Sequence, residues 1–387
     1  MSEQAAWYAA PLLAAFAGAA ALAAVQVLAR RAIAANWLPD HPNHRSSHER
    51  VTPRSGGVAI FVAWLAGLAV VAGLGTVEGV AGQAAMLAPL VGLVFLFGLV
   101  DDILALRAAW KFIGQMLAAL VYVWVFGPLE TAPLPFLGDA PLGLAGAPIT
   151  VFWIVAFMNA FNFMDGVNGI AAACAAFALF GIAVASAFFS AGLWTAAAGV
   201  GAVALVGFLP FNFSKDKLFM GDNGSQTIGF LIAAAGVGAA NASDGALSAL
   251  FAPVAMAAFI VDVAFTLVHR TIRKQNILLA HREHVYQLLL RLGLSHVAVT
   301  AIYLGLTAFS TAAAIAMLRL SPEHQWIAPV FLIAAFSIPA GLIFAKAERA
   351  GLLSGEPQSD LGEEGLEEAA LAMEGEPLGA GVSYAAE

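Results

Sequence analysis

The sequence has few charged residues and almost no cysteine, and both absences narrow the class of protein. Only 11% of its 387 residues are charged and 61% are hydrophobic, whereas soluble domains carry about 25% charged and 45–50% apolar residues. Together with a mean hydropathy of +0.86, this excludes a soluble protein. The single cysteine, Cys174, excludes an internal disulfide and a cysteine metal site.

Long apolar runs, rather than alternating ones, predict an all-α fold: a polytopic helical bundle in a membrane. A helix needs about 20 apolar residues to cross a bilayer. The leader before the first run carries no positive charge, and Arg30 and Arg31 follow that run, so we expect a retained span rather than a cleaved signal peptide. The runs predict about eleven spans: residues 8–28, 58–74, 84–100, 112–126, 149–158, 170–189, 193–209, 225–240, 247–268, 296–318 and 326–344.

The basic residues predict the orientation of these spans. Threading the chain from an outside N-terminus places every lysine and arginine except Arg319 in a cytoplasmic loop, as the positive-inside rule requires. The C-terminus is then cytoplasmic. From Gly351 onward the chain is acidic and has no base. We therefore predict a membrane domain over residues 1–350 and an acidic, disordered cytoplasmic tail over residues 351–387.

An acidic pair, Asp101 and Asp102, ends the third apolar run. The simplest interpretation is that the pair marks the point where a helix leaves the bilayer, because an acid at the bilayer centre is costly. Acids are also unfavourable at a helix C-terminus. We therefore expect a compensating cation beside the pair, either Mg²⁺ or a base such as Lys111.

Two further aspartates, Asp165 and Asp222, each stand beside glycine just before an apolar helix resumes, in NAFNFMDGVNG (159–169) and FMGDNGS (219–225). Glycine lets the backbone approach a ligand closely, and a helix N-terminus offers free N–H groups to an anion. Carboxylates next to a phosphate site are typical of Mg²⁺. Helix capping is the alternative, since Asp and Asn are favoured as caps, but it explains one such loop better than two.

The first polar loop, residues 41–57, contains His41, His44 and His48 together with Thr52 and a Gly–Gly pair. Its bases and hydroxyl groups suit a diphosphate or nucleotide surface better than zinc. The alternative is that the loop binds no ligand and that its basic residues only reflect the excess of Lys and Arg found in cytoplasmic loops of membrane proteins.

The last polar loop contains HREHVYQ (281–287), in which His281, Arg282 and His284 form a cationic cluster suited to phosphate. All the polar loops fall on the predicted cytoplasmic side. They indicate a metal-assisted reaction between a phosphorylated substrate and a second reactant that is located in the lipid bilayer.

These motifs make the chain resemble the polyprenyl-phosphate N-acetylhexosamine-1-phosphate transferases. The resemblance covers about residues 8–345 and rests on the Asp101–Asp102 pair, NAFNFMDGVNG, FMGDNGS and HREHVYQ, found in family order. It implies transfer of a sugar-1-phosphate from a UDP-N-acetyl sugar to undecaprenyl phosphate, with release of UMP. It also implies Mg²⁺ (or Mn²⁺) as cofactor, a bacterial inner membrane with a cytoplasmic active site, and no nucleic-acid partner; a homodimer stays open.

The resemblance also implies roles for individual residues. Asp222 matches the magnesium-ligand aspartate, Asp165 lies in the motif that shapes the metal and nucleotide site, and Asp101 matches the carboxylate proposed to act on the lipid phosphate, with Asp102 beside it. These four are the expected catalytic residues, with Asp222 and Asp165 as the expected metal ligands. The expected substrate and nucleotide contacts are His48, Thr52, Lys111, Asn159, Asn162, His281, Arg282 and His284.

The last motif departs from two branches of that family. The translocase branch carries three consecutive histidines in this loop, which argues against a MurNAc-pentapeptide substrate. The GlcNAc branch commonly reads D-R-x-H-I-H-H, and here His281, Tyr286 and Gln287 stand at three of those places. This version resembles the branch that initiates O-antigen and exopolysaccharide synthesis, some of whose members use UDP-FucNAc or UDP-QuiNAc. The sugar therefore stays open.

Two other classes of protein fit the sequence less well. A secondary transporter for an anionic metabolite would place ionisable residues near the bilayer midplane on broken helices, whereas these acids stand at the inner ends of the spans. An aspartate-rich prenyl transferase would need D-x-x-D or D-x-x-x-D, which neither Asp101–Asp102 nor Asp165 provides. For the transferase we expect direct attack by the lipid phosphate, because a metal-bound aspartate is a poor nucleophile; a phospho-enzyme is the alternative.

Overall fold

The computed structural model describes residues 3–40, 51–74, 79–213, 218–276 and 281–353. His48 and residues 354–387 lie outside these ranges, so the expectations for them stay predictions. Short antiparallel pairs join β1 (Pro39–Asp40) to β2 (Thr52–Pro53) and β3 (Thr131–Leu134) to β4 (Gly138–Pro141). The helices are α1 (Glu3–Ala34), α2 (Gly56–Leu74), α3 (Val80–Leu104), α4 (Ala108–Phe126), α5 (Gly146–Met164), α6 (Ile170–Phe188), α7 (Gly192–Phe213), α8 (Asp222–Ala242), α9 (Phe251–Ala255), α10 (Ala257–Ile272), α11 (Val285–Arg291), α12 (His296–Met317) and α13 (Ile327–Arg349).

Nine helices in the described part of the chain are long and apolar enough to cross a membrane: α1 to α7, α12 and α13. The other two predicted spans correspond to α8 and to α9 followed by α10. Helix α8 has 21 residues but begins with polar turns. The run 247–268, expected as one helix, is interrupted at Met256. The all-α, multi-pass architecture is confirmed, while the number of crossings and their orientation stay predictions.

Helix α8 occupies the centre of the bundle. Every residue from Asn223 to Ala240 is buried, and α2, α3, α5 and α7 all contact this helix. Its many glycines and alanines allow neighbouring helices to approach closely. The partner helix contributes too: a Cβ on Gly98 of α3 would lie 2.7 Å from the Cα of Asn223. Protein rather than lipid surrounds α8, and its polar first turn is therefore tolerated.

The polar motifs meet at one end of this bundle. The ends of α3 and α5 lie there beside the beginnings of α4 and α8. Asp102 near the end of α3 accepts the backbone N–H of Asp222 at the start of α8, and Asn162 near the end of α5 donates to the Asp222 carboxylate. Lys111 in the first turn of α4 pairs with Asp101. Helix α11 covers the same end, where the Tyr286 hydroxyl donates to the carbonyl of Phe163 at 2.9 Å. The β3–β4 hairpin, which joins the far ends of α4 and α5, lies at the opposite end. The described parts of the polar loops thus lie together at one end of the bundle, while the side of the membrane that this end faces stays a prediction.

Candidate active site

A pocket of about 630 Å³ opens at the polar end of the bundle. The end of α5, the beginning of α8 and the segment from Arg282 to His296 form most of its wall. Guanidinium groups bind phosphate oxygens well, and carboxylates suit hard cations. The wall therefore has the composition of a site for a phosphorylated ligand. Its charged residues are Asp40, Arg54, Asp165, Asp222, Arg282 and Arg291.

Lys111, in the first turn of α4, bridges two of the expected catalytic aspartates. Its Nζ lies 2.7 Å from Oδ2 of Asp101 and 3.0 Å from Oδ2 of Asp222. Asp101 is only 2% exposed and also accepts the backbone N–H of Leu106 at 3.0 Å. The cation expected beside the acidic pair is thus present in the protein itself, as a base.

Asp102 is saturated by donors from its own chain. Its Oδ1 accepts the backbone N–H of Asp222 at 3.0 Å, and its Oδ2 accepts the backbone N–H of Asn223 at 2.9 Å and the side-chain amide of Asn223 at 2.6 Å. Arg54 adds an ion pair of 3.3 Å to Oδ1. The carboxylate therefore caps the N-terminus of α8, where negative charge is favoured.

Because Asp102 caps α8, the carboxylate of Asp222 is directed elsewhere. Its oxygens accept Lys111 at 3.0 Å and Nδ2 of Asn162 at 2.9 Å, and Asn162 also donates to Oγ of Ser225 at 3.1 Å. Asp222, Asn162 and Ser225 all line the pocket. The carboxylate that caps this helix is that of Asp102 rather than that of Asp222, so capping does not account for the aspartate of FMGDNGS.

Asp165 follows the last residue of α5 and also lines the pocket. Burial, and then the negative charges of Asp222 and Asp102, raises the pKa of Asp165 to about 7. No hydrogen-bond donor from the described residues offsets this rise. The cap of the next helix is Gly169, at φ +78°, so Asp165 is a carboxyl group that a bound cation would stabilise.

The pocket-facing acids fit a magnesium ion by their donor chemistry. Asp165 and Asp222 present carboxylate oxygens to a space that guanidinium groups border. Within the ranges described above, no cluster of three or more His, Cys, Asp or Glu residues forms a complete metal cage. Mg²⁺ normally takes one or two carboxylates and completes its shell with substrate phosphates and water, so a complete cage is not required.

A buried amide network supports the site from below, and sequence reasoning missed most of it. Nδ2 of Asn159 donates to Oε1 of Gln115 at 2.6 Å, and Gln115 donates to Oε1 of Gln226 at 3.4 Å. Gln226 lies 3.5 Å from Oδ2 of Asp101. Asn159 thus acts behind the pocket wall. The sequence did contain an indication of this network. Gln115 and Gln226 each stand one helical turn after a polar residue of the expected site, and residues at that spacing share a helix face.

The first polar loop reaches the pocket through Arg54. The side chain of this residue lines the pocket and pairs with Asp102. Thr52, the expected contact, is 5% exposed within β2 and faces the protein interior. His48 belongs to the part of the chain that is not described. The indication in the sequence was that Arg54 is a base separated by one residue from the Gly–Gly pair that begins α2.

The HREHVYQ segment contributes to the pocket unequally. Arg282 and Gln287 line it, whereas His284 is 3% exposed and its Nδ1 lies 3.2 Å from Oδ1 of Asp262. His281 packs against His284 with 4.9 Å between ring centroids. Burial, followed by the neighbouring His284 and Arg270, lowers the pKa of His281 to about 4, so its ring is neutral at pH 7.

Asp262, in the middle of α10, was also missed by sequence reasoning. It is the lone acid of an apolar helix, and such a residue is a signal for function or for a specific partner. Thr266 of the same helix donates to its Oδ1 at 3.4 Å, but its other partners stand more than twenty residues further along the chain, which no local pattern reveals.

Comparisons with known proteins agree with the motifs. The family model described as glycosyl transferase family 4 matches residues 84–240, which include the acidic pair and both aspartate–glycine motifs. The HREHVYQ segment and Asp262 follow this stretch.

Two relatives align with most of the chain. A Bacillus subtilis (strain 168) protein named "Probable undecaprenyl-phosphate N-acetylglucosaminyl 1-phosphate transferase" is 32% identical over 269 residues, which are 68% of this chain and 73% of the relative. The decaprenyl-phosphate N-acetylglucosaminephosphotransferase of Mycobacterium tuberculosis H37Rv is 33% identical over 307 residues, 71% of this chain and 75% of the relative. A shorter match is the phospho-N-acetylmuramoyl-pentapeptide-transferase of Enterococcus faecalis, 32% identical over 151 residues, 36% of this chain and 47% of the relative. The chain belongs to the superfamily of polyprenyl-phosphate N-acetylhexosamine-1-phosphate transferases, glycosyl transferase family 4.

Proposed function

We propose that this protein transfers an N-acetylhexosamine-1-phosphate from a UDP-sugar to undecaprenyl phosphate in a magnesium-dependent reaction that releases UMP. The observation that carries the proposal is the meeting of Asp165, Asp222 and Arg282 in one pocket at the end of a membrane bundle. Such a place gives a soluble nucleotide and a lipid-borne phosphate access to the same groups. The names of the relatives, which act on undecaprenyl or decaprenyl phosphate, support the choice of acceptor.

The donor occupies the arginine-lined part of the pocket in this proposal. Two phosphorylated substrates repel each other, so the site has to neutralise charge before they meet. Arg54, Arg282 and Arg291 border the pocket and can each present paired N–H groups to phosphate oxygens. Asp165 and Asp222 would hold Mg²⁺, which when bound supplies charge neutralisation at the transferred phosphate and at the leaving group.

Asp101 and Lys111 are the residues we assign to the lipid phosphate. The Lys111 ammonium already pairs with Asp101 and Asp222, and its side chain is 33% exposed, so it can turn to a phosphate that arrives beside it. Asp101 then has an oxygen available to take a proton from that phosphate. Asp102 holds α8 in place rather than taking part in proton transfer.

The proposed chemical step is a direct displacement. An oxygen of the lipid phosphate forms a bond to the β-phosphorus of the UDP-sugar, and the bond from that phosphorus to the bridging oxygen breaks. UMP leaves with the bridging oxygen, and the sugar-1-phosphate becomes part of a lipid diphosphate. Both oxygens of Asp222 already accept hydrogen bonds, from Lys111 and Asn162, which makes this carboxylate a poor nucleophile for a phospho-enzyme.

The transferred sugar is the open part of the proposal. The names of the two longer relatives favour GlcNAc, and the Tyr286–Gln287 departure favours a 6-deoxy N-acetyl sugar such as FucNAc or QuiNAc. We place the pocket on the cytoplasmic face of a bacterial inner membrane, because arginine and lysine residues gather at the pocket end of the bundle. The reaction would then be the first membrane step of a cell-envelope polysaccharide.

The test is a UMP-release assay with purified protein, undecaprenyl phosphate, Mg²⁺ and a panel of UDP-GlcNAc, UDP-FucNAc, UDP-QuiNAc and UDP-MurNAc-pentapeptide. We expect UMP with at least one of the first three donors and none when EDTA replaces Mg²⁺. A control reaction without undecaprenyl phosphate detects simple hydrolysis of the donor. Folded protein that releases no UMP from any donor would overturn the proposal.

A further inference from the structure

Asp262 is a buried carboxylate with an unusual number of partners. It lies in α10 and is 3% exposed. Its Oδ1 accepts the backbone N–H of Val285 at 2.9 Å and lies 3.2 Å from Nδ1 of His284. Its Oδ2 accepts the backbone N–H of Tyr286 at 3.1 Å and the hydroxyl of Tyr303. A buried charge is costly unless hydrogen bonds compensate it, and here the compensation comes mainly from the HREHVYQ segment.

These bonds hold the beginning of α11. Val285 and Tyr286 form its first turn, where backbone N–H groups lack partners within the helix. Asp262 satisfies two of them from a neighbouring helix. The backbone N–H of His284 donates to Oε1 of Gln287 at 3.2 Å, which closes the same turn from the other side.

The first turn of α11 in turn determines how the segment meets the pocket. The Tyr286 hydroxyl donates to the carbonyl of Phe163 at 2.9 Å and accepts Nε2 of Gln287 at 3.1 Å. It packs so closely on Gly166 that a Cβ there would collide with it. A displacement of this turn would therefore move both the segment after α5, which carries Asp165, and the residues of α11 that line the pocket.

We propose that Asp262 is a positioning residue for the transfer reaction: its carboxylate fixes the His284 imidazole and the first turn of α11, and so holds Arg282, Gln287 and Arg291 at the pocket. The inference rests on the proposed function for its kinetic consequences. Its structural consequence, the fixed first turn of α11, can be measured without turnover.

The kinetic experiment compares Asp262→Asn and Asp262→Ala with the wild type, using whichever UDP-sugar the panel identifies. We expect Asp262→Ala to lower kcat/KM for the donor about 100-fold, because a misplacement near 1 Å has an effect of this size, mostly through a raised donor KM. Asp262→Asn keeps the volume and one acceptor oxygen, so a smaller loss of the same kind is expected. The KM for undecaprenyl phosphate should stay near the wild-type value.

Two control variants separate positioning from general stability. Thr311→Val alters a buried hydroxyl of α12 that has no hydrogen-bond partner in the described structure and should leave the donor KM unchanged. Tyr303→Phe removes one donor to Asp262 but keeps the bonds to α11 and His284, so it should retain most of the activity. A merely structural role would reduce the amount of active enzyme in all the Asp262 variants while leaving the donor KM as in the wild type.

Hydrogen–deuterium exchange supplies the readout that does not need a substrate. Loss of the Asp262 carboxylate should accelerate exchange at the amides of Val285 and Tyr286 and leave those of Asp222 and Asn223 protected. Unchanged exchange at Val285 and Tyr286, or a wild-type donor KM in folded Asp262→Asn, would overturn the inference. Accelerated exchange in the Asp262 variants, combined with a folded wild type that releases no UMP from any donor, would uphold the structural half and reject the proposed function instead.

Discussion

Four of the aspartates at the polar end of the bundle fall into two pairs according to what surrounds their carboxylates. Asp102 and Asp262 each accept the backbone N–H groups of two consecutive residues at the start of a helix, α8 for the first and α11 for the second. Asp165 and Asp222 line the pocket instead. The first pair holds the beginnings of two helices, and the second pair faces the pocket.

This comparison shows that adjacency in sequence does not imply a shared role. Asp101 and Asp102 are neighbours, yet Asp101 pairs with Lys111 and Asp102 with α8 and Arg54. Asp102 and Asp262 lie on different helices, 160 positions apart, and do equivalent work. A carboxylate saturated by backbone donors has little capacity left for a substrate or a cation. Asp222 also accepts hydrogen bonds on both oxygens, but from the side chains of Lys111 and Asn162, so the presence of backbone donors separates the two kinds of acid.

The largest expected effect follows from changing a pocket-facing acid. Asp222→Asn should lower UMP release by about 1000-fold or more, because it removes a charged ligand from the site of charge neutralisation. Stability should change little, since Asp102 still caps α8 and Lys111 still pairs with Asp101. Near-normal magnesium-dependent turnover in Asp222→Asn would contradict the division into two pairs.

The matching change in a helix-holding acid should act first on stability. Asp102→Asn leaves Arg54 without its ion pair and turns an amide N–H toward the start of α8, which should lower the free energy of unfolding by about 3 kcal/mol. Thermal unfolding in detergent, with activity measured per amount of folded protein, separates this loss from a catalytic one. Unchanged thermal stability together with abolished turnover would move Asp102 into the catalytic group.

Substitution of Lys111 tests whether this residue serves the lipid phosphate or the nucleotide. Lys111→Met leaves Asp101 and Asp222 without their shared cation, and we expect the KM for undecaprenyl phosphate to rise about tenfold, the loss of one charge-assisted hydrogen bond. Lys111→Arg keeps the charge and serves as the matched control. An increase confined to the donor KM would place this residue on the nucleotide side instead.

The pH dependence provides a smaller and graded test of Asp165. Its pKa is raised to about 7, and only the ionised carboxylate can bind a cation, so Mg²⁺ has to displace a proton below that pH. The apparent affinity for Mg²⁺ should therefore fall as the pH drops below about 7 and level off above it. Magnesium titrations of UMP release at several pH values measure this, and Asp165→Asn should lose that pH dependence. If the apparent Mg²⁺ affinity changed with pH equally in the wild type and in Asp165→Asn, the pH dependence would belong to another group.

The fold and the positions of the pocket-facing acids could be predicted from the sequence. The roles of the helix-holding acids could not. Long apolar runs require helices in a membrane, and a polar residue beside glycine at the end of such a run is expected to face water or a ligand. Asp165 and Asp222 line the pocket, in agreement with that expectation. The interruption at Met256 was not predicted, because the apolar run continues through it.

The side-chain environment of the other acids depends on tertiary packing. The rotation of α3 decides that Asp101 faces Lys111 and that Asp102 faces α8, and no local pattern encodes that rotation. Asp262 was visible as a lone acid in an apolar helix, but its partners outside that helix lie more than twenty residues later in the chain. Likewise His284 was expected to contact the substrate from its motif, whereas the structure buries it against Asp262.

Binding of Mn²⁺ in place of Mg²⁺, followed by electron paramagnetic resonance, tests the division between the two pairs most directly. Purified wild type, Asp222→Asn and Tyr303→Phe would be titrated with Mn²⁺ in the presence of the UDP-sugar donor. The account predicts bound Mn²⁺ in the wild type and in Tyr303→Phe, and a loss of that signal in Asp222→Asn. Wild-type Mn²⁺ binding by folded Asp222→Asn would contradict it.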